Sequence, residues 1–112
     1  MPKPARRPQS RYALDALALL GQLIRRARIE RKIAVNGLAE RAGLSRGLVR
    51  RIEGGDPGCA IGAVFEAAAI VGVRLFDADQ AALTGAIRAS AATLTLLPKA
   101  VRASKIEAKD DF

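Results

Sequence analysis

The sequence predicts an all-α chain, and three features point that way. Apolar residues recur at three- and four-residue spacing, and no window alternates with period two for long. Half of the 112 residues are hydrophobic, led by alanine and leucine, while only Tyr12, Phe65, Phe76 and Phe112 are aromatic. Residues that end and start helices, Gly43 and Ser45 above all, fall between the periodic stretches. This length suits one domain with a modest helical core. The expected organisation is a disordered basic arm over 1–10, a helical domain over 11–97 and a flexible tail over 98–112.

Residues 1–10 hold Pro2, Pro4 and Pro8 with Lys3, Arg6 and Arg7, too much proline for a helix. From Arg11 to Lys32 one long helix is expected, capped by Ser10. Its apolar stripe is Leu14, Leu17, Leu20, Leu23/Ile24 and Ala27. Arg25, Arg26, Arg31 and Lys32 suit the negative end of the helix dipole, and Gly21 is expected to mark a bend.

The stretch 34–54, AVNGLAERAGLSRGLVRRIEG, reads as two short helices joined by a tight turn. Val35, Leu38, Ala39 and Ala42 form one buried stripe at i, i+3, i+4 and i+7. Gly43 supplies a left-handed helix end, Leu44 the apolar residue after it, and Ser45 a cap for the next helix. In that helix Leu48, Val49 and Ile52 point one way and Arg46, Gly47, Arg50 and Arg51 the other. The outward face carries three guanidiniums and no acidic residue. Arginine is the side chain best suited to paired hydrogen bonds with phosphate or the guanine edge. Gly47 costs roughly 1 kcal/mol of helix stability relative to alanine, yet lets a surface approach closely. Two short helices across a three- to four-residue turn have the geometry of a DNA-reading helix-turn-helix. The plainer alternative is a solvated arginine face on an ordinary helical domain.

At these residues the chain resembles the Xre/Cro repressor-type helix-turn-helix family, in Leu38-Ala39, Gly43, Ser45, Val49 and Arg51-Ile52-Glu53-Gly54. The resemblance implies a five-helix domain with Arg46, Gly47 and Arg51 as base readers. It also implies Arg50 as a phosphate or flanking-base contact, and a structural pair between Arg28 and Glu53. Ser45, Arg41 and Val35 complete the expected DNA-binding set, with Arg41 near phosphates. Two departures bear on the backbone anchor at the start of the first motif helix, not on the fold. Val35 stands where a phosphate-contacting glutamine is common, and Ala34 replaces the usual capping Thr or Ser. For the arm, the alternative to a solubilising leader is a segment that follows the DNA backbone or enters the minor groove.

Gly54 to Gly58 is a loop by composition. Ile61 to Val71 is then a helix with Val64, Ala67/Ala68 and Val71 inward, ended by Gly72-Val73. The run GAVFEAAAIVGVRLF resembles the family's closing pattern, and Phe65 and Phe76 are expected in the core. Asp77 or Asp79 caps a further helix over about 78–96, alanine-rich, with Leu83, Ile87, Leu94 and Leu97 and only Arg88 charged. Such a helix needs a core or a second subunit to pack on. Because repressors of this type read two half-sites, a homodimer seam is expected here, with intrachain packing as the alternative. The ending LPKAVRASKIEAKDDF carries a narrower resemblance to HipB-type antitoxins, the helix-turn-helix partners of HipA-type kinase toxins, which often end in an LPK-x-VR stretch and an acidic tip.

The net charge of +8 is uneven: residues 25–53 hold nine basic and three acidic residues, whereas 54–112 hold six and seven. That concentration is the electrostatic footprint of a polyanion binder. Cys59 is the only cysteine and there is no histidine, which leaves no disulfide, zinc site or ordinary general base. No enzyme, cofactor or metal is expected. Asp15, Gln22 and Glu66 interrupt the apolar runs, so neither a signal peptide nor a membrane partner is expected and the cytoplasm, on the nucleoid, is the expected location. The expected function is a sequence-specific DNA-binding transcriptional repressor, dimeric on its operator, and the autoregulatory antitoxin of an operon whose HipA-like kinase toxin it also binds. The alternatives are a stand-alone phage-like or chromosomal repressor, or a protein-interaction module without specific DNA readout.

Overall fold

In the computed structural model, which describes residues 9–103, every regular element is helical and no strand occurs among the described residues. The elements are α1 (Arg11–Glu30), α2 (Val35–Ala42), α3 (Arg46–Glu53), α4 (Ile61–Ile70) and α5 (Gln80–Thr95), with one helical turn at Leu75–Asp77 before α5. The helix ends lie within two residues of those the periodicity predicts. The chain divides into a unit that runs to Asp77 and a second that begins at Ala78.

In the first unit Ser10 caps α1, its hydroxyl oxygen accepting from the Ala13 N–H at 3.1 Å. The helix stops before Lys32 because that residue is left-handed, at φ 58°. The Ile33 N–H then reaches back to the Arg28 carbonyl at 3.0 Å, the bond that closes a helix end of this type. Four helices share one core: Ile24 from α1, Leu38 and Ala39 from α2, Val49 and Ile52 from α3, and Val64, Ala67 and Ala68 from α4, with Val71 behind them. α2 packs on both α3 and α4, and α1 packs on α3.

α1 runs through Gly21 as one unbroken helix, and the glycine there has a role in packing. A β-carbon there would lie 2.5 Å from the Ile52 carbonyl oxygen and 2.6 Å from that of Glu53. Glycine at this position is what lets α1 rest directly on the last turn of α3. The expected core position of Phe76 is not observed. Phe76 and Asp77 are left-handed (φ 55° and 52°), and the turn carries the Phe76 ring to the surface at 81% exposure. There it meets Phe65 edge-on, with centroids 6.4 Å apart.

In the second unit Asp79, not Asp77, caps α5 by accepting from the Ala82 N–H at 2.9 Å. No residue of α5 is buried within that unit. The arm over 1–8 and the tail over 104–112 lie outside the described residues. Among the described residues no helix is long and apolar enough to cross a membrane.

Candidate nucleic-acid interface

The turn between α2 and α3 is three residues long, Gly43-Leu44-Ser45. Gly43 is left-handed at φ 68°, the Leu44 N–H bonds the Ala39 carbonyl at 2.9 Å, and the Gly43 N–H bonds that of Glu40 at 3.3 Å. The paired bonds satisfy carbonyls that the helix end would leave orphaned. Ser45 returns to extended backbone and its hydroxyl accepts from the Leu48 N–H at 3.0 Å, so α3 starts at once. Burial of Val49 and Ile52 then fixes the rotation of α3 about its axis.

That rotation leaves Arg46, Gly47, Arg50 and Arg51 exposed together on α3, and Arg41 exposed in the last turn of α2. The helix dipole accounts for part of the pattern. Arg50 and Arg51 sit in the last turn, where a cation is favoured, but Arg46 opens a first turn that carries no acidic residue. Gly47, next to it, weakens the same turn. Two adjacent residues therefore work against the helix that presents them.

The start of α2 is plainer. Ala34 provides no side-chain cap, and Val35 is half-buried against the core and has no polar side-chain atom to offer a phosphate.

Behind α3, Arg28 and Glu53 meet in paired geometry. Arg28 Nε donates to Glu53 Oε2 at 2.6 Å and Nη2 to Oε1 at 3.0 Å, with the two side chains only 10% and 6% exposed. Arg28 Nη1 donates also to the Ile33 carbonyl at 2.9 Å, which ties α1, the α1–α2 connection and α3 through one guanidinium. The hydrogen bonds to Glu53 hold the Arg28 pKa above its ordinary value against the opposing effect of burial. Arg31 makes a second tie outside the candidate surface, donating through Nη1 to the Val71 carbonyl that ends α4.

One neighbour of the surface escaped the sequence reading. Arg51 Nε donates to Asp56 Oδ2 at 2.8 Å, while Asp56 Oδ1 accepts from the Gly58 N–H at 2.7 Å. The bond to Asp56 raises the Arg51 pKa. The readable signal was an Asp-Pro-Gly turn that follows α3 after Gly54-Gly55, in which an Asp folds back on its own backbone two residues on. Among the described residues Arg46 and Arg50 have no acidic partner. In comparisons with known protein families, curated proteins and solved structures, nothing matches this chain.

Proposed function

We propose that this protein is a sequence-specific DNA-binding repressor of the Xre/Cro helix-turn-helix type, with α3 as the helix that enters the major groove. One observation carries the reading: Arg46 and Gly47 stand side by side in the first turn of α3, where both oppose helix stability. Local choices that disagree with the fold concentrate where function requires them. A cation that hydrogen-bonds base edges and a residue without a side chain are what a helix N-terminus needs to sit deep in a groove. Arg51 reads a base from the next turn, Arg50 and Arg41 meet phosphates, and Ser45 holds the start of the helix. Val35 contributes packing and not an anchor.

The repressor acts as a homodimer, and α5 is the element that joins the two copies. It brings Leu83, Ile87 and Leu94 on a helix that buries none of them in its own unit. The antitoxin role belongs to the same proposal and rests on the chain's ending, the LPKAVR stretch at 97–102 and the acidic tip after it.

The test is gel-shift binding to the DNA upstream of the protein's own gene, titrated against salt and random competitor. The reading expects a complex that survives competitor and leaves a palindromic footprint. A complex abolished by equal random DNA leaves a basic helical domain whose partner is a protein, and refutes the repressor.

A further inference from the structure

Arg51 is not a loose side chain on the outer face of α3. Its Nε is bonded to Asp56 at 2.8 Å, and its Nη2 lies against Gly58, 3.3 Å from where a β-carbon would stand. Asp56 is in turn fixed by the Gly58 N–H, so both carboxylate oxygens are engaged. The Arg51 side chain stays half-exposed, at 53%. Arg51 follows Gly47 by one helical turn on the same face, so the missing side chain at 47 leaves the approach to it open.

An arginine can meet guanine through the pair of Nη atoms or through Nε and one Nη. With Nε taken, the Nη pair is what remains for O6 and N7. A side chain already held by a neighbour also loses less rotamer freedom when it binds.

We infer that Asp56 is a positioning residue for readout: it holds Arg51 through Nε so that the Nη edge faces one guanine of the bound site. The inference rests on the DNA-reading role of α3 and adds to it a specificity determinant from the loop after the helix, outside the helix-turn-helix stretch.

The test begins with the full chain selecting duplexes from a random pool. Affinities are then measured for the selected duplex, and for copies changed one base pair at a time, with the wild type, Arg51→Ala, Asp56→Asn and the double variant. Asn can still accept from Gly58 but presents no carboxylate to Nε. The inference expects Arg51→Ala to erase the preference at one G·C pair, and Asp56→Asn to weaken that same preference about 3- to 10-fold, part of the roughly 5- to 150-fold that a good bidentate contact supplies. Other positions and the thermal midpoint stay unchanged, and Asp56→Asn has no further effect once Arg51 is alanine. A merely structural role would move all positions together. Enrichment by the wild type with Asp56→Asn silent, uniform across positions, or additive with Arg51→Ala overturns this inference alone. Failure of the wild type to enrich any sequence overturns the DNA-reading proposal and this inference with it.

Discussion

Arg28 and Glu53, 25 residues apart, meet through two parallel hydrogen bonds of 2.6 and 3.0 Å and fasten the last turn of α1 to the last turn of α3. Both side chains are nearly out of solvent, so removing one partner leaves the other charge without compensation. Arg28→Met or Glu53→Leu alone is expected to cost about 3–5 kcal/mol in urea unfolding. The double variant should lie within about 2 kcal/mol of wild type, the residual being the hydrogen bond to the Ile33 carbonyl. Costs that simply add would mean that the residues do not act as a pair. Because pairing raises the Arg28 pKa, its stabilisation is complete below the unfolded arginine value and fades only as pH rises through the higher folded one. The gap between wild type and Arg28→Met should therefore hold constant from roughly pH 7 to 10.

Gly21 tests the other contact between α1 and α3. In an exposed helix, Gly→Ala gains roughly 1 kcal/mol. Here the new methyl would meet two backbone carbonyls at 2.5 and 2.6 Å, and backbone yields less readily than a side chain. Gly21→Ala is thus expected to destabilise by about 1–3 kcal/mol in the same unfolding assay. A rise in stability would show that α1 does not rest on α3 at this point.

These two contacts also mark how far the sequence could be read. Patterns that depend on near neighbours were legible: the stripe Val35, Leu38, Ala39, Ala42, the left-handed Gly43, the Ser45 cap and the burial of Val64, Ala67, Ala68 and Val71 all follow from spacing. Of what depends on distant neighbours, the Arg28–Glu53 pair was expected, from the family resemblance and not from spacing, and the rest was not. The packing role of Gly21 escaped notice because nothing along the chain announces the carbonyls of Ile52 and Glu53 above it. Phe76 looked like core because the sequence gives no sign of two successive non-glycine residues in the left-handed region. Asp56 does lie in the loop expected after α3, but its partner lies on the preceding helix, so the arginine face was read without the residue that tethers Arg51.

Gly47 separates the interests of fold and function. A β-carbon there would touch nothing closer than the Ser45 hydroxyl at 4.0 Å, so alanine fits without strain. Gly47→Ala is expected to stabilise by roughly 0.5–1 kcal/mol, less if the first turn frays. On the DNA-reading proposal the same methyl stands between α3 and the groove floor, and affinity for the selected duplex should fall while the thermal midpoint rises. A variant that gained stability and kept full affinity would remove Gly47 from the interface.

Arg50 offers the sharpest contrast with Arg51, because the two are neighbours with different surroundings. Arg51 is tied to Asp56, whereas Arg50 is exposed and has no acidic partner among the described residues. Arg50, untethered and farther along α3 than the first-turn Arg46, suits a phosphate, which accepts a cation from many directions. Each phosphate contact releases about one condensed counterion, so Arg50→Ala should flatten the plot of log affinity against log salt by about one unit. It should weaken selected and random duplexes alike. Arg51→Ala should instead spare random DNA and lose preference at one base pair. If Arg50→Ala altered base preference and left the salt slope unchanged, the assignments of the two arginines would have to be exchanged.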